Sequence, residues 1–151
     1  MKTTLLLTCL LLFYSCNKNN KNTDDFDANE HASLEGAWEL SSYLNYKGNG
    51  QVDTILSSKE NKQIKMYSDT KVMWSRKRVS DSLDWFGYGE YTVRDSLLTE
   101  VLNYGSKTMD AIIKENKAFT YKIVIGEDSF SQIQIDSLGV PIYAENYVRI
   151  E

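Results

Sequence analysis

Reactive side chains are scarce in this sequence. Its 151 residues hold two cysteines, Cys9 and Cys16, both within the first sixteen positions. No thiol remains beyond them for a disulfide, a metal site or a nucleophile, so a domain there is held by packing and hydrogen bonds. The single histidine, His31, also precedes the region rich in aromatic and β-branched residues. A two-histidine metal site or a Ser-His-Asp arrangement within that region is thereby excluded. Basic charge is short as well: 17 Lys and Arg stand against 21 Asp and Glu, a net −4. A nucleic-acid partner would call for a basic face, so none is expected. Long apolar runs are missing too. The longest, residues 5–14, has roughly half of the ~20 residues that a spanning helix needs. Preceded by Lys2 and followed by Ser15, it describes an export signal over residues 1–15.

The residues that close this signal carry more information. Phe13-Tyr14-Ser15-Cys16 puts a small residue directly before a cysteine, at the depth where a signal peptidase cuts. This resembles the lipobox of bacterial lipoproteins, in which the cysteine receives acyl chains such as palmitate and becomes the new N-terminus. The resemblance implies lipid attachment at Cys16, a membrane as partner and a place in the bacterial cell envelope. Each buried acyl CH₂ contributes ~0.8 kcal/mol, so several chains anchor a protein without help from its fold. Asn17 follows the cysteine where some inner-membrane lipoproteins carry aspartate, which points to the outer membrane of a diderm cell. A plain secretory signal with an incidental cysteine is the alternative. Residues 16–32, dominated by Asn, Lys, Asp and Glu with Phe26 as the one aromatic, cannot bury enough apolar area to offset their ordering entropy. They read as a tether.

From residue 33 to 151 the composition changes, and apolar and polar residues alternate over short segments as strands require. The first strand is expected over 37–46, with Trp38, Leu40, Ser42 and Leu44 on one face. A Lys47-Gly48-Asn49-Gly50 turn follows, since Asn and Gly tolerate positive φ. Segment 51–56 reads as a strand or an irregular crossing. Further strands are expected over 63–67, 71–79, 88–94, 97–104, 118–125, 130–135 and 142–150. Gly87 and Gly89 permit a bend or a close backbone approach. A single helix is expected over 106–117, capped by Ser106, with Met109, Ile112 and Ile113 on one face. About eight strands with one short helix and no repeat suit a small closed antiparallel up-and-down β-barrel, because closure removes exposed edges. An eight-stranded sandwich is the competing architecture.

Gly36-Ala37-Trp38 and Arg149, at the two ends of this region, form a Gly-x-Trp landmark with a terminal-strand arginine. This pattern resembles lipocalin-like barrels. There the first and last strands are neighbours and the guanidinium lies across the indole, an interaction worth about 0.5–2 kcal/mol. Residues 63–74 resemble a second landmark of lipocalin-like domains on bacterial lipoproteins, especially those of Bacteroidetes. Gly89-Glu90-Tyr91-Thr92-Val93, with Leu98-Thr99-Glu100 and Tyr104, resembles a third. Relatives often carry a histidine just before the aromatic strand, where Thr70-Lys71 stands here. The resemblance covers residues 34–151 and implies a fold, not a substrate.

Chemistry is left to carboxylates, lysine and tyrosine. Glu90 and Glu100, if both turned inward, would raise one pKa and form a general acid. Otherwise they face water or bond to Lys65, Arg76 or Lys122. Trp74, Tyr91, Tyr104 and Tyr121 could line a cavity for a partly apolar ligand, with Glu100 beside them and Arg76 or Lys122 meeting a polar end. As plain core residues they need no ligand. The expectation is a non-enzymatic lipoprotein, without metal or cofactor, that binds or carries a small partly apolar molecule. A structural module that engages an envelope protein or glycan, with the barrel as scaffold, is the second expectation.

Overall fold

The computed structural model describes residues 33–80 and 82–151; the signal, Cys16, the tether and His31 lie outside the described residues. Nine strands and one helix follow in order: β1 (Gly36–Tyr46), β2 (Val52–Leu56), β3 (Asn61–Tyr67), β4 (Lys71–Arg78), β5 (Trp85–Arg94), β6 (Leu97–Gly105), α1 (Lys107–Glu115), β7 (Ala118–Ile125), β8 (Ser129–Ile135) and β9 (Pro141–Arg149). Neighbours pair antiparallel in the order β2-β1-β3-β4-β5-β6-β7-β8-β9, and β1 also pairs with β9. The sheet therefore closes on itself as a ring, and the sandwich is excluded. The ring has eight strands. Its first strand takes β3 along Gly36–Glu39 and β2 along Ser42–Tyr46, so β2 extends the wall rather than joining the circuit.

Local chemistry explains the elements. Asp95 and Ser96 both have positive φ, 52° and 59°, which is the two-residue turn whose twist suits the β5–β6 hairpin. Helix α1 is capped by Ser106, whose hydroxyl accepts from the Met109 N–H. It buries Met109 and Ile113 against the barrel.

Two bulges decide which side chains face inward. Leu40 pairs with Tyr147 and Ser42 with Asn146, leaving Ser41 unpaired. Because the pleat has period two, one extra residue turns the rest of the strand over. Tyr43, not Ser42 or Leu44, thus shares the inner face with Trp38 and Leu40, and it stacks on Tyr143 of β9 at 5.4 Å. The expected single face for Trp38, Leu40, Ser42 and Leu44 is corrected on this point. The second bulge lies in β6, where Tyr88 pairs with Tyr104 and Gly89 with Leu102, so that Asn103 is unpaired. Gly89 serves this approach: a Cβ there would stand 2.1 Å from the Val101 carbonyl oxygen.

The barrel has two unlike ends. At one, the chain enters through residues 33–35, and the β3–β4, β5–β6 and β7–β8 turns close round it. Trp38 is fully buried there and donates its indole N–H to the Leu34 carbonyl at 2.7 Å. The Arg149 guanidinium lies 4.0 Å from the indole centroid. It donates to the carbonyls of Ser33, Glu35 and Glu127 at 2.8, 2.6 and 3.0 Å. Gly36, with φ of +124°, leaves room for this guanidinium, since a Cβ would come within 2.7 Å of Nη1. Gly36, Trp38 and Arg149 therefore meet as one closure. The opposite end carries α1 and the β4–β5 and β8–β9 loops.

Candidate functional site

Side chains fill the barrel in layers from the closed end. The lowest is aromatic. Phe130 meets Trp38 edge-on at 4.9 Å and stacks on Tyr147 at 4.6 Å, while Tyr67 meets Tyr91 edge-on at 4.9 Å.

Above it lies a polar layer built by inward positions of β3, β4, β6, β8 and β9. Lys65, 2% exposed, donates to Glu100 Oε1 and Gln132 Oε1, both at 2.8 Å. Tyr67 adds its hydroxyl to the same Glu100 oxygen at 2.6 Å. Arg76 donates to Gln63 Oε1 and, at 2.6 Å, to Glu145 Oε1. Gln63 in turn donates to the Tyr147 hydroxyl at 2.8 Å, and that hydroxyl and Gln132 donate to Glu145 Oε2, each at 2.7 Å. Two cations thus face two carboxylates, and amides and phenols join both pairs into one network. Removing one partner of a buried pair costs about 3–5 kcal/mol, because the other charge is left uncompensated. Burial, followed by the Glu100 and Glu145 charges, pushes the Tyr67 and Tyr147 phenols well above the ordinary tyrosine range. Burial does the same to Tyr121, whose ring lies 5.8 Å from the Lys65 ammonium.

Between this layer and α1 is a cavity of about 200 Å³. Its floor is polar, formed by Lys65, Arg76, Glu100 and Glu145; Trp74, Trp85, Leu102, Met109, Ile112 and Phe119 supply apolar walls. Trp74 stays inward because Gly87, its partner on β5, has no side chain to compete for the space. A lateral cleft of about 430 Å³ opens where β1 leaves β3. Leu40, Tyr43, Ile55, Asn61 and Arg76 are among its walls, so Arg76 borders both spaces.

The expected ligand residues divide into three groups. Trp74, Arg76, Glu100 and Tyr121 come together at the cavity. Tyr91 packs lower, on Tyr67, with its hydroxyl donating to the Ser68 carbonyl at 2.9 Å. Tyr104 and Lys122 are corrections, since both project outward. Tyr104 would continue the inward series Leu98, Glu100, Leu102, but the bulge at Asn103 turns it out, leaving it 54% exposed. Lys122 follows inward Tyr121, and adjacent strand residues take opposite faces. Glu90 is likewise outside, bound to Lys71 on the surface, so the Glu90–Glu100 acid pair does not form. Glu100 binds Lys65 instead.

Gln63, Gln132, Glu145, Trp85 and Phe119 were not among the expected site residues, while Lys65 was expected as a possible partner of Glu100 and is one. In β3 the apolar Ile64 and Met66 alternate with Gln63 and Lys65, and the polar set is the buried one. Hydrophobicity alone points the strand the wrong way round. Within the strand itself, the inward parity of Tyr67 is the one signal that points the other way.

No family model matches the sequence, and no curated protein matches it. Solved structures do. A lipocalin-like protein from Bacteroides uniformis ATCC 8492 superposes with a TM-score of 0.52 at 15% identity, over 78% of this chain and 98% of that one. An uncharacterized protein from Bacteroides eggerthii DSM 20697 gives 0.51 at 16% identity, over 78% and 99%. Such identities speak for the fold alone. Together with the ring closure and the Trp38–Arg149 contact, they make this chain a lipocalin-like β-barrel.

Proposed function

We propose that the chain is a non-enzymatic, lipid-anchored protein of a bacterial envelope that holds a small, partly apolar molecule inside its barrel. The supporting observation is the cavity of about 200 Å³ between a saturated polar floor and apolar walls. Ligand sites typically combine those two kinds of surface. Among the described residues catalysis lacks a candidate group, since the lumenal carboxylates Glu100 and Glu145 are each bound by a cation and no histidine is present. The lipobox-like residues support anchorage through Cys16 to the outer membrane. The described chain begins at the closed end, so such an anchor would leave the mouth facing away from the tethered end.

Native mass spectrometry of the purified full chain tests the cargo. A co-purifying molecule, displaced in an Ile112→Trp variant that fills the cavity, is the expected result. An empty protein that also ignores a library of single-ring compounds would end the carrier reading. Palmitate labelling that persists in Cys16→Ala would end the anchor.

A second reading has its own observation. Met66, Met73, Tyr88 and Tyr104 are successive cross-strand partners on the outer face of β3 to β6, and they form an unbroken apolar row. An envelope protein docking there would make the barrel a scaffold. Cross-linking in intact cells, with Met73→Lys as the control, distinguishes it: a partner lost in that variant favours docking, and its absence discards it.

A further inference from the structure

We infer that the cavity takes a neutral, single-ring molecule carrying a carbonyl-type acceptor, which the indole N–H of Trp85 binds. The inference rests on the carrier reading above and deepens it.

Trp85 opens β5 and stands opposite Arg76 of β4 in the cavity wall. Among the described residues its Nε1 is the one buried side-chain polar atom with no hydrogen-bond partner. Leaving a buried donor unanswered costs about 1–3 kcal/mol, so such atoms are rare and call for an explanation. The contrast within this chain is direct, because the buried indole of Trp38 does have its carbonyl. An acceptor placed in the cavity would satisfy Trp85, and no protein group does.

Size and charge narrow the class. An apolar cavity of roughly 150 Å³ accommodates benzene, so about 200 Å³ suits one ring with a small substituent. The floor presents Lys65 and Arg76, each already bound to a carboxylate, Glu100 and Glu145. An anion would find both cations engaged and two carboxylates beside them. Charge therefore selects against it, and against a cation for the mirrored reason. What remains is an apolar ring against Trp74, Met109 and Phe119, with a neutral acceptor turned to Trp85.

Three probes test this on the ¹⁵N-labelled full chain, whose three tryptophans give three indole signals. Acetophenone, toluene and benzoate share a ring and differ in the acceptor and its charge. Acetophenone is expected to bind about tenfold more tightly than toluene, about 1.4 kcal/mol. It should move the Trp85 indole proton downfield while the Trp38 signal stays in place. Benzoate is expected to bind more weakly than either. In Trp85→Phe the advantage of acetophenone should disappear, toluene binding should persist, and the unchanged Trp38 signal should report an intact fold. The downfield shift in the unmodified chain is a readout that does not depend on that variant folding. If no probe binds and the protein also purifies empty, the carrier reading fails and takes the inference with it; if no probe binds but a molecule co-purifies, the inference alone falls. If the rings bind but acetophenone gains nothing, or keeps its gain in Trp85→Phe, an ordered water answers the indole, and the inference falls while the carrier reading stands. Benzoate binding more tightly than acetophenone would overturn the neutral class.

Discussion

Trp38 and Trp85 occupy the two ends of one barrel, and their surroundings differ in a single respect that matters. At the closed end every polar atom near the indole is answered: Nε1 by Leu34, the facing guanidinium by three carbonyls. At the open end the indole N–H of Trp85 has no partner, and the residue lines a cavity. A saturated end serves stability, because nothing is left there for a ligand to improve. An unsaturated end gives up some stability and can recover it on binding.

The largest effect should come from the saturated side of that divide. Lys65→Met leaves Glu100 buried beside Tyr67 without its cation, and urea denaturation should record a loss of about 3–5 kcal/mol. Replacing both members, Lys65→Met with Glu100→Leu, should recover most of it, since the cost lies in the orphaned charge. Equal losses in single and double variants would mean that packing, not charge, holds the polar layer. Arg149→Ala comes next. It removes the stacking on Trp38 and three carbonyl contacts, and a loss of roughly 2 kcal/mol is expected. No loss would show that the Leu34 segment closes this end unaided.

Alkali probes the same layer more gently. Burial raises the Tyr67, Tyr121 and Tyr147 phenols above their unfolded value of about 10. Below that pH folded and unfolded chains both keep the protons. Above it the unfolded chain releases them and the folded one does not, so stability falls as pH rises past about 10. Phenolate absorbance should therefore show these three ionising only together with loss of the circular-dichroism signal. Smooth ionisation of all the tyrosines in a folded protein would contradict their burial in the network.

The sequence reading recovered what depends on local pattern and missed what depends on parity. Strand positions and the Ser106 cap are carried by short-range signals, the meeting of Gly36, Trp38 and Arg149 is what the resemblance to lipocalin-like barrels implies, and the structure has them all. Facing is different, because one unpaired residue reverses it. The bulge at Ser41 brings Tyr43 inward and the bulge at Asn103 sends Tyr104 out. Neither residue is a glycine or stands at a turn, so nothing in the local sequence marks the change. Lys122 is another matter: adjacency to Tyr121 excluded a shared face from the start. β3 shows a third kind of difficulty, with Gln63 and Lys65 buried and Ile64 and Met66 turned outward. A strand that buries its polar face is legible only once the carboxylates that answer it, Glu100 and Glu145, are placed on other strands.

The smallest expected effect is the sharpest test of the contrast between the two tryptophans. Trp85→Phe deletes one N–H and part of a ring at a site where, in the unliganded barrel, no protein group meets that N–H. Losing ring area lowers stability and losing an unpaired buried donor raises it, so the two changes offset and the net should lie within about 0.5 kcal/mol. The matching change at the closed end, Trp38→Phe, removes a donor that is bonded and leaves the Leu34 carbonyl unanswered. It should cost about 2 kcal/mol or more by the same urea measurement. Equal losses at the two sites would mean that Trp85 has a partner after all, and the open end would then be as saturated as the closed one.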